Sequence, residues 1–195
     1  MAEAATPVNP HGQETASAWV QRWSHLVSGC VLDVACGQGR HLRWFVQRGH
    51  RVVGVDRSEQ ALAAIELPAT SCETLLADIE SGPWPLAGRQ FGAVVVTNYL
   101  WRPLMPTLIN SLSNEGILIY ETFAQGQASL GRPSRPEFLL APGELLQLCS
   151  GLRIVAFEDG YEPPSDRSPA RCVQRIVAAR GESSSGQPWM PRLTL

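Results

Sequence analysis

Val31-Leu32-Asp33-Val34-Ala35-Cys36-Gly37-Gln38-Gly39-Arg40 joins a buried strand to a glycine turn that opens a helix. Residues 29–35 are a short apolar run broken by one acid, the pattern of a strand covered on both faces. Gly37 and Gly39 carry no Cβ, so the backbone turns tightly there and a ligand can come close. Leu42, Phe45 and Val46 recur at helical spacing, which predicts a helix over 38–47 that stops at Gly49. Strand, glycine turn and helix N-terminus together make a nucleotide-type pocket.

The same alternation continues along the chain. Residues 51–56 (RVVGVD) read as a second strand, and Ser58 as the cap of a helix carrying Ala61, Leu62 and Ile65 that ends before Pro68. Residues 72–78 form a third strand. Residues 91–97 (FGAVVVT) form a fourth, continuous and β-branched as a central parallel strand requires. A helix over 103–112 keeps its prolines in the first turn, and Asn114-Glu115-Gly116 turns the chain into a fifth strand over 117–123. A helix over 142–149 follows. Strands near 152–158 and 172–178 have no long helix between them, so they pair antiparallel. Trp19, Val20 and Trp23 predict a short amphipathic helix within 13–25, ahead of the first strand.

Strands alternating with helices predict a doubly wound α/β sheet whose ligands gather outside the carboxyl ends of the strands. The expected division is a flexible stretch over 1–12, one domain over 13–180 and a tail over 181–195. Trp189, Met190 and Leu193 in that tail either dock on the body or hang free.

With 195 residues, 44% apolar and 17% charged, the chain suits one globular domain. No apolar run approaches the roughly 20 residues of a membrane span, and no basic start followed by an apolar segment marks a signal peptide. A cytoplasmic address is the expectation, with no membrane partner. The net charge of −2 and scattered cations disfavour a nucleic-acid surface. All 16 cations are arginine, as a GC-rich genome would give; their identity excludes a P-loop lysine, a Schiff base and a lysine general base. Five cysteines without a Cys-x-x-Cys pair fit reduced thiols, and no ligand-like His/Cys spacing marks a metal site. Cys36 lies in the glycine turn, where it is either a reactive thiol or a small buried hydrophobe.

The dinucleotide fingerprint Gly-x-Gly-x-x-Gly fails at its third position, which is Leu42. A nicotinamide oxidoreductase is therefore the weaker reading, and the chain has no second domain to carry a reducible substrate. The acids discriminate better. Asp56 ends the second strand, where a carboxylate can accept both ribose hydroxyl hydrogens. Asp78 ends the third strand, within reach of a base amino group, and Asp33 lies beside the glycine turn. Three carboxylates at one sheet edge suit a cationic ligand without phosphates and would repel a pyrophosphate. The plainer reading of each acid is a helix N-cap or a surface group.

Taken together, the pattern resembles the class I S-adenosylmethionine-dependent methyltransferases. Residues 33–39 resemble their first motif, with Ala35 in place of the usual first glycine. Val53-Gly54-Val55-Asp56 is similar to the second-strand acid motif, and Ala77-Asp78-Ile79 to the adenine contact. Cys36-Gly37-Gln38-Gly39-Arg40 is similar to the small tellurite-resistance branch. The resemblance implies a seven-stranded, mostly parallel sheet with the last strand antiparallel, and S-adenosylmethionine as cofactor. It implies a cofactor site of Asp33, Ala35, Cys36, Gly37, Gly39, Arg40, Asp56, Arg57, Asp78, Ile79 and Asn98. Residues 33–39 would hold the methionine part, Asp56 the ribose, and Asp78 with Ile79 the adenine.

Methyl transfer from a sulfonium is an in-line displacement that needs alignment and a dry site more than a base. Amine-methylating members use an Asp/Asn-Pro-Pro-Tyr turn; here Asn98-Tyr99-Leu100-Trp101-Arg102-Pro103 lacks the paired prolines, which disfavours a base methylase. Tyr99 and Arg102 are the candidate catalytic residues, chiefly for positioning. Residues 124–141 form a long segment without regular pattern, directly over the crevice, as lids often do. In it, Arg132 and Arg135 are candidate clamps for an anion and Phe138 a candidate closure against water. The expected acceptor is a small molecule, anionic or a thiol or chalcogen species. A non-catalytic cofactor-binding protein stays open as an alternative.

Overall fold

A computed structural model describes residues 15–165 and 168–181; the expected flexible start at 1–12 and the Trp189, Met190 and Leu193 tail contacts lie outside the described residues. Seven strands are present: β1 (Val31–Val34), β2 (Val52–Asp56), β3 (Cys72–Leu76), β4 (Phe91–Thr97), β5 (Leu112–Phe123), β6 (Arg153–Glu162) and β7 (Arg171–Ala179). They form one sheet in the order β3-β2-β1-β4-β5-β7-β6. β1 to β5 run parallel, and β7 lies antiparallel between β5 and β6. The order reverses between β1 and β4, which opens a crevice at the carboxyl ends of the strands.

Alternation along each strand supplies two separate core layers. Leu32, Val34, Val94, Val96, Leu118 and Tyr120 face one side, packed with Leu104, Leu108 and Leu145. Val31, Val95, Ile117, Ile119 and Val177 face the other, against Trp19 and Trp23 of helix α1 (Ala18–Trp23) and Leu42 and Phe45 of α2 (Arg40–Val46). No helix among the described residues is long and apolar enough to cross a membrane.

Helices are shorter than their sequence patterns predict. α3 (Glu59–Ala63) is capped by Ser58, whose hydroxyl accepts the Ala61 N–H at 3.2 Å. α4 (Met105–Asn110) is preceded by a 3-10 turn over Arg102–Leu104, because Pro106 cannot donate a helical hydrogen bond. α5 (Glu144–Leu148) begins after Gly143, which sits at φ +69°. β5 differs most from expectation. It starts at Leu112, and the register against β4 jumps between Phe91 and Ala93, so Asn114-Glu115-Gly116 is an irregularity inside the strand with Glu115 at φ +64°.

Leu42 also explains why the dinucleotide fingerprint fails. Its side chain fills the space above Gly54 on β2, where an added Cβ would lie 2.7 Å from Leu42 Cδ1 and 2.8 Å from Cys36 Sγ. Close helix–strand contact is made here by a glycine on the strand instead of on the helix.

Candidate functional site

The carboxyl ends of β1 to β5 surround a cavity of about 440 Å³, within the range of small-molecule sites. Ala35 follows β1, Asp56 ends β2, Asp78 follows β3, Asn98 and Tyr99 follow β4, and Thr122 and Phe123 close β5; all line the cavity. Arg57, Ile79, Leu100, Pro133 and Phe138 line it as well. Two non-glycine residues at strand ends adopt left-handed backbone, Ala35 at φ +53° and Asn98 at φ +55°. Each costs about 1–2 kcal/mol, a strain that commonly marks ligand sites.

The glycine turn is held from below by Asp56. Its Oδ2 accepts the Gly37 N–H at 2.7 Å and its Oδ1 accepts the Ser58 N–H at 2.9 Å. One carboxylate thus ties the turn after β1 to the start of α3, and each oxygen retains a lone pair for a hydroxyl donor. Gly39, at φ +75°, is the N-cap of α2. Asp33, Cys36, Gly37, Gly39 and Arg40 are not among the cavity-lining residues; they build the turn beside it. Arg40 reaches across to β4, donating to the Thr97 hydroxyl at 3.3 Å.

Cys36 is a buried hydrophobe. Its side chain packs beneath the turn against Leu42, and burial with the nearby Asp33 and Asp56 carboxylates pushes its thiol far above the ordinary range. It lacks the exposed, electropositive surroundings that make a thiol reactive.

Asp78 lies just beyond β3, and its carboxylate organises the following turn. Oδ1 accepts the N–H groups of Glu80 at 3.0 Å and Ser81 at 3.4 Å, while Oδ2 accepts the Ser81 hydroxyl. The Ser81 hydroxyl and then the Glu80 N–H hold this exposed carboxyl below its usual range. Tyr99 accepts the Tyr120 hydroxyl at its carbonyl, 2.8 Å away. Its own hydroxyl is buried without a partner among the described residues. Burial, then the Glu80 carboxylate, pushes that phenol up, so Tyr99 stays protonated and keeps a hydroxyl hydrogen to donate.

Sequence reasoning missed a buried polar chain beside the glycine turn. Asp33 is 1% exposed, with Oδ2 lacking a hydrogen bond among the described residues and 3.6 Å from His41 Nδ1. His41 Nε2 accepts the Ser17 N–H at 3.2 Å, and the Ser17 hydroxyl donates to Glu121 Oε1 at 2.9 Å. Glu121, also 1% exposed, is neutralised by Arg175 on β7. The start of α1 is therefore seated across the ends of β1 and β5. Acids inside apolar strand runs, Asp33 and Glu121, were the available signal. Glu80 was missed because it belongs to no motif.

The arginines expected over the crevice are engaged elsewhere. Arg102 donates Nε to Glu144 Oε1 at 2.5 Å and Nη2 to Oε2 at 2.9 Å, and reaches the Glu137 and Leu139 carbonyls at 2.8 and 2.9 Å. It locks the loop to α5 and has no place among the cavity walls. Arg135 pairs with Glu137 and stacks 5.1 Å from the Phe138 ring, and it is not among the cavity-lining residues. Arg132 is exposed and lines no wall. The anion clamp is thus not assembled, whereas Phe138 does reach the cavity.

Nor is the loop shapeless. It contains 3-10 turns over Gln127–Ser129 and Pro136–Phe138, and Ala124 bridges Leu140 at its base. Gln127 is buried beneath it, donating to the Arg132 carbonyl and accepting the Cys172 N–H.

Residues 31–114 match the family model described as "Methyltransferase domain". No curated protein matches the sequence. Similar solved structures include TehB from Haemophilus influenzae, with a TM-score of 0.66 at 16% identity over 84% of this chain and 61% of that one. The glycopeptide N-methyltransferase MtfA complexed with S-adenosyl-L-methionine superposes with a TM-score of 0.61 at 20% identity, over 90% of this chain and all of the other. The plantazolicin methyltransferase BpumL in complex with SAH gives 0.58 at 16% identity, over 78% and 76% of the two chains. The chain spans less than two thirds of TehB. These likenesses establish the Rossmann-like methyltransferase fold, with β7 reversed inside an otherwise parallel order.

Proposed function

We propose that this chain is an S-adenosylmethionine-dependent methyltransferase that alkylates a soft atom of a small acceptor held beneath the 124–141 loop. The observation that carries it is the charge of the crevice. Asp56, Asp78 and Glu80 line the cavity against one cation, Arg57, and a buried carboxylate oxygen of Asp33 stands beside it without a hydrogen bond. A buried carboxylate oxygen with no hydrogen bond among the described residues, and only the His41 ring 3.6 Å away, favours a cationic ligand, and such walls oppose a pyrophosphate.

These residues fit the cofactor. Asp33 suits its amino group, Asp56 the ribose hydroxyls, and Asp78 with Ile79 the adenine. When bound, the cofactor supplies an electrophilic methyl group on a sulfonium. The protein's part is to align the acceptor with that methyl and to exclude water. Asn98 and Tyr99 stand at the β4 edge of the cavity, and Phe138 closes it from the loop. Nothing in this arrangement requires a general base.

The nicotinamide reading is not favoured, since Leu42 occupies the place that a pyrophosphate-binding helix would keep clear. A chalcogen oxyanion acceptor draws support from the sequence resemblance of residues 36–40 to the tellurite branch. Its anionic character finds only Arg57 on walls that carry three carboxylates, because Arg102, Arg132 and Arg135 lie outside them.

Calorimetry with S-adenosylhomocysteine and with NADH tests the cofactor, and release of S-adenosylhomocysteine against thiols, selenite, tellurite and small carboxylates tests turnover. Binding of the first nucleoside and not the second is expected, with turnover of at least one acceptor. Preference for NADH would overturn the reading. Tight cofactor binding without turnover across the panel would favour a non-catalytic binding protein.

A further inference from the structure

We propose that the acceptor is an uncharged thiol with an apolar, ring-bearing body, selected by Phe138 and Tyr99; the inference rests on the methyltransferase reading above. Beyond the cofactor-directed acids, the cavity is finished by Leu100, Phe123, Pro133 and Phe138, four apolar walls from the ends of β4 and β5 and from the loop. Phe138 is 37% exposed, a large ring presented at the cavity rim rather than buried in the core. A ligand with an apolar body would cover it and remove that surface from water.

Charge narrows the class. An acceptor with a carboxylate or oxyanion would enter a space walled by Asp56, Asp78 and Glu80. The three arginines nearest the loop are spent on Glu144, on Glu137 and on the surface. Anions therefore meet three wall carboxylates against the single Arg57 and are disfavoured. Among neutral nucleophiles, an amine would be protonated at neutral pH and a phenol would need a base. A thiol enters mostly neutral, is a few per cent ionised at pH 7 and is intrinsically very nucleophilic, so it can react without a dedicated general base. The Tyr99 hydroxyl is buried beside the Glu80 carboxylate and makes no hydrogen bond of good geometry among the described residues, so its hydrogen can be offered to the sulfur lone pair. The acceptor sulfur forms the new S–C bond as the donor S–C bond breaks, the bonding pair stays on the donor sulfur, and the thiol proton passes to water.

The test compares benzyl mercaptan with 3-mercaptopropionate and tellurite, after calorimetry has established that S-adenosylhomocysteine binds. Benzyl mercaptan should exceed both in kcat/KM by at least about tenfold. Benzyl methyl sulfide, the uncharged product, should bind the S-adenosylhomocysteine-loaded protein. Phe138→Ala should weaken that binding by about tenfold while the affinity for S-adenosylhomocysteine stays put, the scale of losing one half-buried ring contact. Equal or better turnover of 3-mercaptopropionate or tellurite overturns the inference, as does failure of the loaded protein to bind benzyl methyl sulfide. Failure to bind S-adenosylhomocysteine fells the methyltransferase reading itself, and the inference with it.

Discussion

The backbone N–H of Gly37 donates to Asp56 Oδ2 at 2.7 Å, so the acid ending the second strand shapes the glycine turn after the first. A second bond from Ser58 to Oδ1 leaves this carboxylate with two tasks, holding the turn and facing the cavity. Asp56→Ala should weaken S-adenosylhomocysteine binding by about 1–3 kcal/mol, the worth of one or two hydrogen bonds to a charged group. Asp56→Asn should lose less, because its amide oxygen can still accept one N–H. Titration calorimetry separates the two, and equal affinity in all three proteins would remove Asp56 from the site.

Arg132 and Arg135 offer a sharp contrast between sequence expectation and geometry. A clamp on an anionic acceptor requires that replacing both by alanine raise KM. Their exposure and the Arg135–Glu137 pair instead predict acceptor and cofactor kinetics within about twofold of the parent. Steady-state kinetics on the double variant decides between them.

Glu144 ties acid stability to the loop. Arg102 is the main cause holding its carboxyl below the ordinary value of 4.5. A depressed folded value means stability that is fully present above 4.5 and is lost as the pH falls through the lowered value. Glu144→Gln should therefore lower stability at neutral pH by about 1 kcal/mol and flatten its fall below pH 4.5. Chemical denaturation at several pH values reads both; an unchanged acid limb would show that the pair contributes nothing.

Cys36 should resist alkylation. Burial and two neighbouring carboxylates keep its thiol protonated, while Cys30, Cys72 and Cys172 are only half-buried. Peptide mass spectrometry after brief iodoacetamide treatment should find Cys36 labelled at least about tenfold more slowly than these three. Selective labelling of Cys36 would restore the reactive reading.

The strand pattern was legible because apolar runs and glycine turns are local signals. β4 was read to the residue, and the antiparallel pairing of β6 and β7 followed from the missing helix. Asp56 and Asp78 line the cavity, where their places at and just past strand ends put them. What escaped depends on partners distant in sequence. Nothing near Arg102 announces Glu144, and nothing near His41 announces Ser17 or Glu121. Ala35 was readable as a small residue but not as one held at φ +53°, since that is set by the turn it enters. The Glu115 irregularity was read as a turn because left-handed backbone inside a strand looks the same locally.

The bridge between Ala124 and Leu140 closes the lid segment at its base. Everything between those two positions is thus a cassette hung from one edge of the scaffold, which shares the cavity with Asp56 and Asp78 but lies on a separate stretch of chain from them. Divergence within that cassette would change what is alkylated without disturbing the seat of the donor, so new chemistry could evolve here by rewriting one short insert.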